Sequence, residues 1–218
     1  MKKITIMLLL VFLLAGCNMI DISNMESYQI IDEILSKNVE MSNNIFEGYK
    51  LYIPQGLKVI DKNDNNIKIY GNKSTLYLYI DVVSYYYKEK PVFKKNNSYA
   101  LSKAIQYNGK SGYVNVIEVE DRCYLEIVYN YSKIEAIVPK ENLNDVLLNA
   151  TYILSSIKYN DNVISLLIDE NITSYKEEKI DIFESDGESS TFLEAIEKYD
   201  IYTEKEEDQD ILDYEELE

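Results

Sequence analysis

The chain has 218 residues and a formal net charge of −16, and it contains no histidine and no tryptophan. The lack of histidine excludes Ser-His-Asp catalysis, Cys-His catalysis and any histidine-ligated zinc site in this chain. Its seven glycines leave little room for a phosphate-binding loop, and neither G-x-x-x-x-G-K-[ST] nor G-x-G-x-x-G occurs.

The N-terminal segment has the features of an export signal. Lys2 and Lys3 precede eleven residues, 4–14, that are apolar except for Thr5. Eleven residues form about 16 Å of helix, which is too short for a hydrocarbon core of about 30 Å, so this segment is not expected to span a membrane. The segment ends in the sequence Leu14-Ala15-Gly16-Cys17.

This ending resembles the lipobox of bacterial prolipoproteins. The resemblance implies that the Cys17 thiol receives diacylglycerol, that residues 1–16 are removed as a signal peptide, and that the new N-terminus is acylated. Residues 17–27 would then be a lipidated tether on the extracytoplasmic side of a cell membrane, because two or more acyl chains hold a protein stably on a bilayer. The alternative is an ordinary secretory signal with a cysteine at this position by chance.

Residues 28–160 are expected to form one α+β domain. An apolar stripe predicts a helix over residues 25–41, after which the hydrophobic period changes from 3.6 to 2. Turns are expected at residues 61–66 and 108–112. Pro139 then opens a long amphipathic helix that ends near Lys158. Period-2 runs predict strands over residues 49–53, 57–60, 67–70, 75–85, 101–107, 113–120, 123–130 and 134–138.

This order of elements predicts an α+β fold, with an antiparallel sheet flanked by the N-terminal helix and the long closing helix. Residues 48–59 (GYKLYIPQGLKV) and 153–158 (ILSSIK) resemble the opening and closing signatures of PsbP-like domains. The resemblance implies a PsbP-like sandwich followed by an acidic C-terminal extension. It assigns no functional residue to this chain, because that fold serves mainly as a binding or accessory module.

The acidic residues are concentrated in the C-terminal quarter. Residues 17–160 carry 17 acidic and 16 basic side chains, whereas residues 161–218 carry 21 acidic side chains and 4 lysines. We expect an acidic extension with a short helix over residues 161–202 and a disordered acidic tail over residues 203–218. Two interpretations remain open: the region attracts divalent cations or a cationic partner, or it is a solvated tail that keeps the protein soluble.

Three patterns that carry chemistry in other proteins are discounted here. Ser155-x-x-Lys158 matches the acylating S-x-x-K motif, but it closes a helix and lacks the S-D-N and K-T-G partners. The sequence from Asp61 begins like an EF-hand loop, but asparagine replaces the required glycine and glutamate. Cys123 lies in a strand-like run and is expected to be a small buried residue. We therefore expect no catalytic, cofactor-binding or metal-binding residue and no cofactor.

A tyrosine- and lysine-rich segment is the candidate partner-contact surface. Aromatic rings next to cations suit a glycan, an anionic wall polymer or lipid headgroups. The alternative is an ordinary surface connection in a chain rich in tyrosine and lysine. The residues concerned are Tyr85, Tyr86, Tyr87, Lys88, Lys90, Lys94 and Lys95.

The leading functional hypothesis is a membrane-anchored lipoprotein that acts as a non-catalytic binding or accessory module for a protein or an envelope component. Nucleic acid is not an expected partner, because everything after the anchor would lie outside the cytoplasm. A second hypothesis is an envelope-directed hydrolase that uses carboxylates or a Ser-Lys pair and therefore needs a deep pocket. A third is an inert structural or immunity-type surface protein.

Overall fold

The computed structural model describes residues 22, 25–37, 39–63 and 65–171. These residues lie within the first of two compact units, Met1–Glu178, and the second unit, Lys179–Glu218, lies outside them. The predicted signal peptide, Cys17, and the acidic segment from residue 172 onward also lie outside the described residues.

Four α-helices and ten strands are found in the described residues. The helices are α1 (Ser27–Leu35), α2 (Val82–Tyr87), α3 (Leu143–Ser156) and α4 (Asp161–Asn171), and a 3-10 turn covers Lys140–Asn142. The strands are β1 (Asn44–Phe46), β2 (Tyr49–Leu51), β3 (Lys58–Asn63), β4 (Asn66–Gly71), β5 (Ser74–Ile80), β6 (Leu101–Tyr107), β7 (Lys110–Val119), β8 (Arg122–Tyr129), β9 (Ser132–Pro139) and β10 (Lys158–Tyr159).

The strands form two antiparallel sheets. The larger sheet has seven strands in the order β3-β4-β5-β9-β8-β7-β6, and the smaller has three in the order β1-β2-β10. Most neighbours in the large sheet are consecutive hairpins, as expected for antiparallel strands joined by short turns. The predicted α+β class with antiparallel strands and a few helices is therefore confirmed.

The register separates the two faces of the large sheet. Residues directly opposite each other in neighbouring strands point to the same side, and successive residues of one strand alternate. Leu78, Ile134 and Ile127 lie side by side on one face and belong to the main hydrophobic core. Helix α3 packs on β8 and β9, and α1 packs against α3. The apolar face is thus covered by a helical layer.

Helix α3 confirms the predicted amphipathic closing helix but is shorter. Its buried side chains recur at helical spacing, from Val146 and Leu147 to Ile153 and Leu154. The helix ends at Ser156, whose Oγ donates to Ile153 O at 2.7 Å and accepts from Tyr52 N at 2.8 Å. This hydroxyl joins the end of α3 to the segment after β2, and the chain then continues into β10.

The strand predicted over residues 75–85 is wrong in its second half. Strand β5 ends at Ile80, and the short helix α2 follows. Asp81 starts α2 because its Oδ1 accepts a hydrogen bond from Ser84 N at 2.7 Å, as an N-cap residue does. Lys88 ends it with a φ of +58°. The valine and tyrosine residues of this segment favour a strand, but the Asp81 cap starts a helix instead.

The turn predicted over residues 61–66 is also too long. Strand β3 extends to Asn63 and β4 begins at Asn66, with Asp61 opposite Lys68. Every residue of β3 is exposed. The strand predicted over residues 57–60 therefore matches the first half of β3, and residues 61–63 were missed because an edge strand with no buried side has no hydrophobic alternation.

Helix α4 occupies the first part of the segment predicted as an acidic extension, residues 161–202. It begins at Asp161, and Ile164 and Ile168 point into the main core. Gly48 makes room for this contact, since a Cβ there would lie 3.0 Å from Ile164 Cγ1. The packed region therefore continues past residue 160.

Candidate functional site

Tyr85 is the centre of an aromatic cluster at one end of the domain. Its ring stacks on Tyr159 with centroids 3.9 Å apart, and it meets the edge of Tyr131 at 5.5 Å. The Tyr85 hydroxyl donates to Asp161 Oδ1 at 2.5 Å. Burial and the Asp161 carboxylate raise the pKa of Tyr85 to about 12, because both favour the neutral phenol. Helix α2 is thereby fixed against β10 and the start of α4.

The other predicted contact residues lie around this cluster. Lys88 Nζ lies 3.6 Å from the centroid of the Tyr85 ring, within cation–π distance. Tyr86 is half-buried against the core and meets Tyr87 edge to face at 5.1 Å, while Tyr87 is 58% exposed. The structure thus brings Tyr85 and Lys88 into direct contact and leaves Tyr87 accessible.

The remaining lysines of the predicted surface lie on the connection between α2 and β6. Lys90, Lys94 and Lys95 are all exposed there. Phe93 anchors this connection, because its ring stacks on Tyr113 of β7 at 5.6 Å. The sequence indicated the lysines of this segment but not the phenylalanine that positions them.

An open pocket of about 650 Å³ lies next to the aromatic cluster. Tyr159 and Asp161, the two residues that hold Tyr85, also line the pocket. Lys50 and Lys158 line it as well and are directly opposite each other in the β2–β10 pair. The pocket therefore combines aromatic rings, a carboxylate and two lysines, which suits a polar ligand with an aromatic or sugar face.

The lysine pair is extended by a third cation. Lys158 Nζ donates to Glu40 O at 3.0 Å. Burial, reinforced by the nearby charge of Lys158, lowers the pKa of Lys110. Lys50 and Lys158 therefore bring positive charge to the pocket, with Lys110 near Lys158, and this charge favours an anionic group there. Local sequence gives no sign of this arrangement, because Lys50, Lys110 and Lys158 are far apart in the chain.

The second face of the large sheet, which we call the polar face, carries a long row of mostly polar residues beside apolar ones such as Ile117 and Ile137. A single row of directly opposed residues crosses the whole sheet and consists of Ser102, Asn115, Glu126, Glu135, Tyr77, Lys68 and Asp61. Glu126 accepts hydrogen bonds from Tyr113 OH at 3.0 Å and from Asn115 Nδ2 at 2.9 Å. Lys133 Nζ lies 2.8 Å from Glu135 Oε1, and both side chains are buried. The sequence could not reveal this row, because it depends on strand register.

The catalytic patterns that the sequence analysis discounted are not assembled in the structure. Ser155 Oγ donates to Tyr152 O at 3.0 Å, whereas Lys158 Nζ donates to Glu40 O. Cys123 is fully buried, and burial raises the pKa of its thiol. Within the described ranges, no group of three or more acidic or cysteine side chains is placed to hold a metal ion.

No protein-family model matches this chain, and no curated protein matches it significantly. Among the helices that the structure describes, none is both long and apolar enough to cross a membrane. Function is therefore inferred from the residues and geometry of this chain.

Proposed function

We propose that this chain is a lipid-anchored extracytoplasmic binding module without catalytic activity. The lipobox-like ending at Cys17 supports the anchor. Ile22 packs against the cluster formed by Ile30, Ile34 and Val39, and its carbonyl accepts a hydrogen bond from Asn144 Nδ2 at 3.5 Å, so about four residues separate Cys17 from the packed body. That length of chain spans about 15 Å when extended, which would hold the body close to the membrane.

The body is proposed to be a PsbP-like sandwich. Its order of elements, an opening helix, an antiparallel sheet and a closing helix, supports this interpretation. The two segments that resemble PsbP-like signatures lie near the start and the end of the body. Residues 48–59 lead from β2 into β3, and residues 153–158 lead from α3 into β10. A fold of this kind does not define a ligand, so the binding role depends on the site itself.

The observation that carries the binding role is the ordered aromatic cluster beside the open pocket. Tyr85, Tyr159 and Tyr131 hold one another in place before any ligand arrives. A surface ordered in advance loses less side-chain entropy on binding. The exposed ring of Tyr87 and the lysines that follow it extend this surface outward, which suits an anionic or sugar-bearing envelope component.

Lipid attachment is tested with the two cysteines of the chain. Cells that express the full chain are fed an alkyne analogue of a fatty acid, and the protein is examined for label and for membrane fractionation. Cys17→Ser is expected to lose both the label and the membrane association. Cys123→Ser is the matched control and is expected to keep both, because Cys123 is fully buried. Label retained by Cys17→Ser would refute the anchor.

Binding is tested with a photo-crosslinking amino acid in place of single tyrosines in intact cells. Position 87 is expected to yield a covalent adduct with an envelope component, because Tyr87 is 58% exposed beside the cluster. Position 70 is the control, since Tyr70 is 42% exposed on β4 of the large sheet. Equal yields at the two positions, or none at position 87, would contradict the proposed surface.

No specific feature of the described residues favours the hydrolase hypothesis. One of its two possible arrangements, the Ser155–Lys158 pair, has its side chains engaged separately with Tyr152 O and Glu40 O, and the pocket beside Tyr159 is open. An acylating serine needs a base within hydrogen-bond reach and a water-excluding site. The binding role therefore accounts better for the same residues.

A further inference from the structure

Three lysines meet beside the open pocket, and we call them the lysine cluster. Lys50 on β2 and Lys158 on β10 are directly opposite each other. Asn130 joins the third, Lys110, to them, because its backbone and side-chain N–H groups donate to the carbonyls of the residue after Lys110 and the residue before Lys158, both at 3.3 Å. In the part of the chain that the structure describes, none of these three ammonium groups forms an ion pair.

The register places two of these lysines on the outer face of the small sheet. Ile45 is directly opposite Lys50, so Ile45, Lys50 and Lys158 form one row across the three strands. Tyr49 and Tyr159 form the next row, point to the other side of the sheet and pack into the main core. Ile45 is 84% exposed. A ligand on the outer face would therefore meet two ammonium groups beside an exposed apolar side chain.

Two carboxylates also line the pocket, and they leave the positive charge in excess. Asp161 Oδ1 accepts a hydrogen bond from the Tyr85 hydroxyl at 2.5 Å, and Tyr85 stacks on Tyr159, which points away from the outer face. Glu47 lies in the turn between β1 and β2. The three ammonium groups of the lysine cluster thus outnumber the two carboxylates of the pocket, which favours an anionic ligand.

The residue types favour phosphate over carboxylate as the anionic group. A lysine ammonium is a compact point charge that binds phosphate, whereas recognition of a planar carboxylate favours the two-pronged fork of arginine. The single arginine of the chain, Arg122, lies opposite Pro139 on the large sheet. Because the pocket is open and the three cations lie on three different strands, the arrangement suits a polymer that presents several phosphate groups in series.

The lysine cluster lies at the opposite end of α3 from the N-terminal segment. The carbonyls of Ile22 and Met25 accept hydrogen bonds from Asn144 Nδ2, in the first turn of α3. Lys158 follows Ser156, the last residue of the helix, by two positions. The 14 residues of α3 span about 21 Å. A lipid anchor that precedes Ile22 therefore favours an orientation in which the lysine cluster faces away from the bilayer.

We propose that the lysine cluster binds the phosphodiester groups of an envelope polymer on the side of the body that faces away from the anchoring membrane. The inference rests on the proposed binding role and lipid anchor, and it names the ligand chemistry of that same pocket. The lysines supply the charge, and Ile45 contacts the carbon backbone of the polymer. Lipid headgroups of the anchoring bilayer carry the same phosphate but lie on the other side of the body.

Binding of a fluorescent glycerol-phosphate oligomer to the purified full-length chain, measured by anisotropy, tests the site. A variant with all three lysines of the cluster changed to glutamine is expected to bind about tenfold more weakly, and the affinity of the unchanged chain should fall severalfold in 1 M salt. Lys50→Gln alone is the second variant, because Lys50 is exposed and its replacement is compatible with the fold. It should bind severalfold more weakly. No binding by the unchanged chain would overturn the proposal.

The matched control makes the same change of charge near the other end of α3. Asn142 Nδ2 donates to Asn72 O at 3.2 Å there, beside the exposed Lys73. The control variant combines Lys58→Gln, Lys73→Gln and Lys140→Gln, all at exposed positions, and should bind within about twofold of the unchanged chain. Equal losses in the two triple variants would assign the binding to overall charge and would overturn the proposal.

Two competing probes test the class of ligand. Oligogalacturonate of the same charge supplies carboxylates, and phosphatidylglycerol vesicles supply phosphate on a lipid surface. The chain is expected to bind the glycerol-phosphate oligomer more tightly than either probe. Equal or tighter binding of oligogalacturonate would overturn the choice of phosphate, and tighter binding of the vesicles through the lysine cluster would make a lipid headgroup the ligand.

The orientation is measured on the lipid-bearing chain in vesicles that contain a nitroxide-labelled headgroup lipid. A fluorophore on Asp145→Cys, in the first turn of α3, is expected to be quenched severalfold more than one on Ile45→Cys. Cys123 is fully buried and should remain unlabelled. Equal or stronger quenching at position 45 would overturn the membrane-distal placement.

Failure of this inference is distinguishable from failure of the proposed function. A crosslinked adduct at position 87 in cells, together with no binding of the oligomer, would overturn the phosphate site and leave the binding role in place. Binding of the oligomer through the lysine cluster without an adduct at position 87 would support the phosphate site and contradict the exposed aromatic surface.

Discussion

The rings of Tyr85 and Tyr159 lie nearly parallel, at 20°, with their centroids 3.9 Å apart. The single hydroxyl hydrogen of Tyr159 is in turn shared between Asn130 O at 2.8 Å and Tyr131 O at 3.1 Å. Asn130 and Tyr131 form the two-residue β8–β9 turn with φ values of +55° and +60°. This contact therefore links helix α2 to a strained hairpin turn and to β10.

Two substitutions at Tyr85 distinguish the contribution of its hydroxyl to stability from that of its ring. Tyr85→Phe keeps the stack and loses the bond to Asp161, so a loss of about 1 kcal/mol in the free energy of unfolding is expected. Tyr85→Ala also loses the ring contacts, and a loss of about 2 kcal/mol is expected because the side chain is half-buried. Urea denaturation measures both. Tyr87→Ala is the control and should stay within about 0.5 kcal/mol; equal effects of the two alanine variants would contradict the role of the stack.

Because Lys133 and Glu135 form a buried pair, we expect the effects of substituting them on the free energy of unfolding to be non-additive. Glu135→Leu removes the carboxylate that the buried Lys133 ammonium contacts at 2.8 Å and is expected to destabilise the protein by about 3 kcal/mol. Combining it with Lys133→Met removes the buried ammonium as well and should recover most of that loss. The exposed pair of Lys37 and Glu33 is the comparison, where Glu33→Gln should change the free energy of unfolding by less than about 0.5 kcal/mol. Additive losses at positions 133 and 135 would contradict the coupling.

Tyr107 predicts a change in stability at alkaline pH. Its hydroxyl donates to Asp32 Oδ1 at 2.5 Å, and this bond, together with partial burial, raises its pKa to about 12. A phenol with a raised folded-state pKa stabilises the fold fully below the unfolded value near 10, and this contribution is lost as pH rises from 10 to about 12.

Asp32→Asn removes the carboxylate and is expected to lower the pKa of Tyr107 toward 10, as followed by tyrosinate absorbance or NMR. Tyr129 is an internal control: burial alone raises its pKa to about 12, so it should not change. The variant should also lose the extra stability between pH 10 and 12. A Tyr107 pKa that stays near 12 in the variant would show that burial, not Asp32, sets it.

Substitution by alanine is expected to lower the free energy of unfolding more at Gly112 than at Gly109. A Cβ at Gly112 would lie 1.9 Å from Val128 O of the paired strand β8, so Gly112→Ala must push β7 and β8 apart. We expect a loss of about 3 kcal/mol or more in the free energy of unfolding. Gly109 has open space and a φ of +76°, and Gly109→Ala is expected to cost about 1 kcal/mol from backbone strain. The reverse order in denaturant unfolding would contradict the close strand contact at Gly112.

Local patterns were reliable where one side of an element is buried. The alternation at residues 75–80 and the turn at Asn108 and Gly109 identified β5 and the β6–β7 hairpin. The stripe through Val146 and Ile153 identified α3. The patterns failed in the second half of β3, which is exposed throughout, and at α2, where a single aspartate cap overrides the strand preference of its residues.

The candidate site was only partly predictable, because some of its contacts join residues that are far apart in the chain. Tyr85 and Lys88 were named from composition, and the structure brings them together at 3.6 Å. Their partner Tyr159 is more than seventy residues away in the chain, so local sequence offered no sign of the stack. Lys50 and Lys158 likewise meet only through the pairing of β2 with β10.

By itself, the sequence determined the α+β class, the antiparallel strands, the amphipathic closing helix and the separation of a near-neutral body from an acidic C-terminus. These follow from hydrophobic period, turn residues and charge, which act over a few neighbouring residues. The tertiary structure alone decided the polar row across the sheet, the aromatic cluster and the lysine pair of the pocket. Those depend on strand register and on contacts between distant segments, and a shift of one residue in register would move every such side chain to the other face.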